Sequence, residues 1–127
     1  MRKLFILLFS LSFFIGYSVF AQDYNISLPL PGTSAANTKL QYDTLQPVYM
    51  AVGTKASNCD HMKVIDTKVT KQPYNLKYRG QQVVGGLWEE LWSVNACSKI
   101  YDVPIKFILD DTGASYVISP KNVISRQ

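Results

Sequence analysis

Histidine, cysteine and clustered charge are all scarce in this 127-residue chain, and each scarcity removes a class of function. His61 is the single histidine, so a histidine-rich metal centre is excluded, and a Ser-His-Asp triad would need distant partners such as Ser93 or Ser115. No serine lies in a nucleophile elbow. Gly85-Gly86 has neither the spacing nor the following Lys-Ser/Thr of a phosphate-binding loop. The two cysteines, Cys59 and Cys97, supply with His61 at most three soft ligands, one short of a structural zinc site. These counts point to no metal, no cofactor and no catalytic residues, hence a protein that is not an enzyme.

Phenylalanine is scarce only beyond residue 21, where Phe107 stands alone. Five of the six lie between Phe5 and Phe20, within an uncharged, mostly apolar run from Leu4 to Phe20 that follows Arg2 and Lys3 and ends in Val19-Phe20-Ala21. A basic start, an apolar centre and a small residue at the end are the three parts of a secretory signal peptide. Residues 1–21 are read as that leader and 22–127 as one exported domain. The competing reading is an uncleaved anchor, because the run is close to the lower limit of roughly 17 residues for a membrane-spanning helix. No cysteine follows Ala21, which argues against a lipid-anchored form, and no later segment is apolar enough to span a membrane. After cleavage no stable membrane span is expected.

The leader also carries off charge. Thirteen basic residues less Arg2 and Lys3, against nine acidic ones, leave a formal +2 from the whole chain's +4. Lys39, Lys55, Lys63, Lys68, Lys71, Lys77, Arg79, Lys99 and Lys106 are scattered among Asp and Glu, so no stripe for nucleic acid forms. What remains is one small domain with limited burial per residue, for which a covalent staple is valuable. An even cysteine pair in an exported chain is most simply a disulfide. A Cys59–Cys97 bridge would stabilise the fold by roughly 4 kcal/mol through restriction of the unfolded chain.

Periodicity then gives the elements. Pro29, Pro31, Gly32, Thr33 and Ser34 mark a turn-rich connection after a short extended arm from Gln22 to Leu28. Ala35 to Leu45 allows one short helix of poor propensity, and Leu45 to Val52, containing Pro47, reads as an edge strand. From Met62 the β-branched alternation predicts a strand to Val69, a turn at Pro73 and a brief extension from Leu76 to Arg79 before Gly80. Leu87 to Ala96, Ile100 to Leu109 and Ala114 to Ser119 alternate with period two, and Ser98-Lys99 and Asp110-Asp111-Thr112-Gly113 form the turns. The expected fold is mainly β: a small antiparallel sandwich or curled sheet with a C-terminal meander, one disulfide and at most one short helix.

The pattern Trp88-x-Glu90-x-Trp92-x-Val94-x-x-Cys97, followed by Tyr101, Val103-Pro104 and Phe107, resembles one found in small exported proteins of Gram-negative bacteria. It covers the C-terminal third, and departs from that group at Ser98, where glycine is common. The resemblance implies a β-rich fold and an envelope or secreted location, periplasmic or extracellular, and brings no activity with it.

Trp88, Glu90 and Trp92 share one face of an extended strand, and this admits two readings. The indoles bury a large apolar area in a small core. Alternatively, if that face is open, Trp88, Glu90, Trp92 and Tyr101 make a platform for an envelope glycan or an unidentified protein partner. Glu89 and Glu90 point to opposite faces and so cannot flank one glycosidic bond. The functional expectation is a noncatalytic exported module that binds a partner or serves the envelope structurally. A more specific version is an inhibitor of a secreted or host hydrolase, and a small secreted hydrolase is the alternative from a different class.

Overall fold

Apolar residues recur every three to four positions from Leu40 to Val52, and they form a helix, α1 (Thr38–Gly53), in the computed structural model, which describes residues 26–126. The leader and the cleavage point lie outside the described residues. Asn37 caps α1, its side chain accepting a hydrogen bond of 2.9 Å from the Leu40 N–H. Leu40, Thr44, Leu45, Val48 and Val52 make the buried stripe.

The edge strand expected over Leu45 to Val52 is therefore corrected: this is the C-terminal half of α1, with Pro47 inside it. Proline removes one donor from the helical ladder, at a cost of about 3 kcal/mol. Burial of Val48 and Val52 to 0% exposure outweighs it, since only the helical period puts Leu45, Val48 and Val52 on one face.

Four strands follow: β1 (Met62–Arg79), β2 (Gln82–Ala96), β3 (Lys99–Asp110) and β4 (Gly113–Ile118). They form an antiparallel meander in the order β1-β2-β3-β4, and a short β5 (Ile124–Arg126) returns to pair with the start of β3. A single sheet is thus the arrangement adopted of the two expected. The turn foreseen at Pro73 is absent. β1 continues through it, with register shifts between Val69 and Lys71, Lys71 and Tyr74, and Tyr74 and Lys77. Proline is tolerated there because β1 is an edge strand.

The disulfide expected between Cys59 and Cys97 is present, with Cα atoms 5.8 Å apart. It ties the connection after α1 to the β2–β3 turn. That turn is Cys97-Ser98 itself, one residue earlier than the sequence suggested, with both residues at positive φ (50° and 70°) as a two-residue hairpin turn demands.

One face of the sheet packs on α1. Val64 from β1, Trp92 and Val94 from β2, and Tyr101, Val103, Ile105 and Phe107 from β3 are buried with the helical stripe. Ser98 holds a left-handed conformation that costs an L-residue about 1 kcal/mol or more. Ser98→Gly should therefore raise the urea midpoint, a gain of about 0.5 kcal/mol after glycine's own entropy cost, whereas Ser98→Val should lower it.

Candidate functional site

β2 sends Trp88, Glu90, Trp92 and Val94 toward α1, as alternation requires, and β3 places Phe107, Ile105, Val103 and Tyr101 opposite them in that order. Trp88 stacks on Phe107 with ring centroids 4.9 Å apart, and Trp92 meets the same ring at 6.2 Å. Glu90, Trp92 and Tyr101 are buried, at 1%, 0% and 5% exposure, and Trp88 is half-buried. The open platform considered for Trp88, Glu90, Trp92 and Tyr101 is thus corrected. The buried Glu90, Trp92 and Tyr101 are closed to a ligand, and the segment ahead of α1 reaches Glu90 through the Ala35 N–H.

Glu90 has a structural assignment instead. Its Oε2 accepts from the Trp88 indole N–H at 2.7 Å and from the Ala35 backbone N–H at 3.0 Å, while Oε1 accepts from the Trp92 indole at 2.9 Å. Three donors from two parts of the chain converge on one buried carboxylate.

Next to it, Thr67 accepts from the Ser34 N–H at 3.1 Å and donates to the Pro31 carbonyl at 2.7 Å, and its own carbonyl accepts from the Thr33 N–H at 2.7 Å. Gly32 between them sits at φ +100°, against β1, where a β carbon would collide with the Thr67 carbonyl oxygen. Gln41 completes the seam, accepting from the Leu30 N–H at 2.8 Å and donating to the Ala36 carbonyl at 2.9 Å. Among the described residues no buried side-chain polar atom lacks a partner.

The opposite face of the sheet is polar in patches. Glu89 points there, away from Glu90, and accepts from the Tyr74 hydroxyl at 2.9 Å with Lys71 at 3.8 Å. Partial desolvation, then the Glu89 hydrogen bond, push the Tyr74 phenol above its usual value. Ser93 donates to Asp102 at 2.7 Å, and Arg126 of β5 donates to both Asp102 oxygens, at 2.7 and 2.8 Å, and to the Ser93 hydroxyl at 2.9 Å. Ser93 is therefore engaged by a carboxylate and a guanidinium, not by the histidine a triad needs.

His61 lies exposed beside Asp60, Nδ1 to Oδ1 2.8 Å, and holds that carboxyl below its usual range through the hydrogen bond. Asp60, His61 and Cys97 come within 4.8 Å of one another, but the Cys97 sulfur is bonded to Cys59 and has no thiolate to offer a metal.

The surface that sequence reasoning missed lies at the far end of the β1–β2 hairpin. There Tyr78 pairs with Val83 and Arg79 with Gln82, at the opposite end of the hairpin from the disulfide. Leu76, Tyr78 and Val83 are exposed at 40%, 60% and 40%. The β3–β4 turn lies alongside, with Arg79 Nη2 3.6 Å from Asp111 Oδ1. Between the two hairpins opens a cleft of about 590 Å³, lined by Tyr78, Val84, Gly86, Leu87, Ile108 and Leu109 among others. Gly86 lets the strands close up, since a β carbon there would lie 2.8 Å from Leu76 Cδ2. The signal available in the sequence was the apolar pair Leu76 and Tyr78 continuing the alternation right up to Gly80.

Comparison with protein-family models, with curated proteins and with solved structures returns no match. No helix among the described residues is long and apolar enough to cross a membrane.

Two predictions test these assignments. Glu90→Gln retains one acceptor oxygen but sets an amide N–H₂ against an indole N–H, and should cost on the order of 2 kcal/mol in urea unfolding. Glu90→Leu should cost more, because it leaves all three donors unpaired. The second concerns acid stability. Partial burial raises the Asp102 carboxyl, but hydrogen bonds from Arg126 and Ser93 and the charges of Arg126 and Lys68 outweigh it and hold it below its ordinary 3.8. Folding thus lowers this pKa, so the pair stabilises the native state above the unfolded value and loses that contribution as the pH falls through the lower native one. Asp102→Asn should be less stable than wild type at neutral pH, and the gap in urea midpoint should narrow as the pH falls below the ordinary 3.8.

Proposed function

We propose that this chain is an exported, noncatalytic binding module that meets a protein partner with the paired ends of its β1–β2 and β3–β4 hairpins. The observation that carries the reading is the exposure of Leu76, Tyr78 and Val83 at the hairpin end, where Tyr78 also lines a cleft walled by Leu87, Ile108 and Leu109 and by the charged Lys77, Arg79, Asp110 and Asp111. Aromatic and aliphatic side chains clustered on a rigid support are the usual anchors of protein interfaces. A glycan is the less suited partner, because the one stacked pair of aromatic rings from β2 and β3, Trp88 on Phe107, lies on the face turned toward α1. Export is supported by the basic and apolar leader in residues 1–21 and by a disulfide, which suits the periplasm or the extracellular space.

The more specific reading, inhibition of a secreted or host hydrolase, is favoured by the side-by-side placement of the two hairpin turns, linked by Arg79 and Asp111. Turns held by strand pairing lose little freedom on binding and can enter a substrate groove as a preorganised wedge.

The test is affinity capture from envelope and culture-supernatant fractions with the oxidised domain beginning at Gln22, followed by titration of each captured protein. A Tyr78→Ser, Val83→Ser variant that keeps the wild-type circular dichroism should bind its partner at least about tenfold more weakly. Equal binding by both proteins would place the interface elsewhere. For the inhibitor reading, a captured hydrolase should lose activity in proportion to added domain, with an end point at a fixed molar ratio.

A further inference from the structure

Four groups that can hold a metal meet at the corner where the chain enters β1. Asp60 and His61 directly precede that strand, and Cys97 opens the β2–β3 turn. Met62, the first residue of β1, pairs with Ala96, the last of β2, so His61 and Cys97 each stand one step beyond the end of the same ladder. Strand pairing therefore holds them side by side whether or not the disulfide is closed. A carboxylate oxygen of Asp60, a ring nitrogen of His61 and the Cys97 sulfur all lie within 4.8 Å of one another. Cys59 is bonded to Cys97, and its Sγ is 3.1 Å from the His61 carbonyl oxygen.

In the oxidised protein the two sulfurs occupy each other. Neither cysteine is buried, since Cys97 is exposed and Cys59 half-buried, and the Asp60 and His61 side chains are 90% and 80% exposed. A thiolate or an ion can reach this corner without the core opening.

We propose that reduction of the Cys59–Cys97 bond converts this corner into a zinc site, with Cys59, Cys97, His61 and Asp60 as its ligands. The reductant is a protein dithiol of the kind that exchanges disulfides in exported proteins. One of its thiolates attacks a sulfur of the bridge, the S–S bond breaks, and its second thiol displaces the mixed disulfide. The donor leaves as a disulfide, and its two electrons and two protons remain with Cys59 and Cys97. Zn²⁺ then replaces the two thiol protons, which pass to solvent. Two thiolates and an imidazole favour zinc over magnesium and calcium, which take oxygen ligands, and the Asp60 carboxylate supplies the fourth position that a count of cysteine and histidine alone leaves vacant. The backbone spacing fits: two sulfurs each about 2.3 Å from one tetrahedral zinc stand only about 3.8 Å apart, a separation that side-chain rotation reaches from Cα atoms 5.8 Å apart. The connection after α1 is thus tied to the β2–β3 turn in both states, by a covalent bond in one and by a metal in the other.

The test is titration of the reduced chain beginning at Gln22 with Co²⁺, without oxygen and in a phosphine reductant, followed by competition with Zn²⁺. One equivalent of Co²⁺ should produce the visible bands of a tetrahedral ion and the near-ultraviolet band of thiolate-to-cobalt charge transfer, and Zn²⁺ should abolish both. The oxidised protein should show neither. His61→Ala and Asp60→Ala, at exposed positions, should leave the circular dichroism of the oxidised protein unchanged and each weaken Zn²⁺ binding to the reduced one about tenfold or more. Zn²⁺ should also slow closure of the disulfide by oxidised glutathione in wild type, and much less so in His61→Ala. If the reduced chain loses its native circular dichroism, Zn²⁺ should restore it. A reduced chain that Zn²⁺ neither binds nor refolds overturns the proposal, as does a folded reduced protein with no charge-transfer band, or binding that needs the thiols but is indifferent to both substitutions.

Discussion

The hydrogen bonds to Glu90 are the constraint on which the rest of the molecule depends. A carboxylate with 1% exposure is expensive to bury unless both its oxygens are hydrogen-bonded, and here a backbone N–H and two indoles bond them. Each donor fixes something different. Trp88 and Trp92 can reach Glu90 only if β2 is extended, because the three must share a face. Ala35 can reach it only if the segment ahead of α1 crosses the top of β1, which the missing side chain of Gly32 permits. The same contact fixes where α1 begins, and thus which stripe of it lies on the sheet. A slip of β2 by one residue would bring Glu89 into the core with Leu87 and Leu91, and neither leucine has a donor to give it.

The meander was legible in the sequence because its strands are half-buried, so that alternation of apolar and polar residues records the sheet directly. The disulfide was legible from compartment and parity. The helix was misread in its second half. Pro47 favours a strand edge locally, and the burial of Val48 and Val52 that overrides it depends on a sheet that begins only at Met62, beyond the helix. β1 was divided at Pro73 for a related reason: proline marks a break by local rules, yet an edge strand accommodates it by shifting register.

The aromatic motif was found at the right place and left between two meanings. Nothing in Trp-x-Glu-x-Trp distinguishes a solvent-facing platform from a core whose carboxylate is held by its own tryptophans, since the deciding donor, Ala35, is 55 residues away. The proposed site lies instead at the hairpin ends, where Leu76, Tyr78 and Val83 have the composition of ordinary strand residues. Their exposure follows from β1 and β2 extending beyond the stretch that α1 and the N-terminal segment cover, a length mismatch that local patterns do not encode. The proposed function therefore rests on the part of the sheet that the core leaves unused.

The seam from Leu30 to Ala36 has a consequence for the order in which the molecule opens. Peeling it away strips Glu90 of one donor and Thr67 of three partners, yet leaves the meander paired and the disulfide closed. It is the natural first unit of partial unfolding: a flap whose release admits water to the buried Glu90 carboxylate while the sheet stands. Amide exchange at Thr33, Ser34 and Ala35 would then report a shallow opening, and exchange in β2 and β3 the global one. The protein has two stabilities, and the smaller belongs to the stretch of chain that precedes α1.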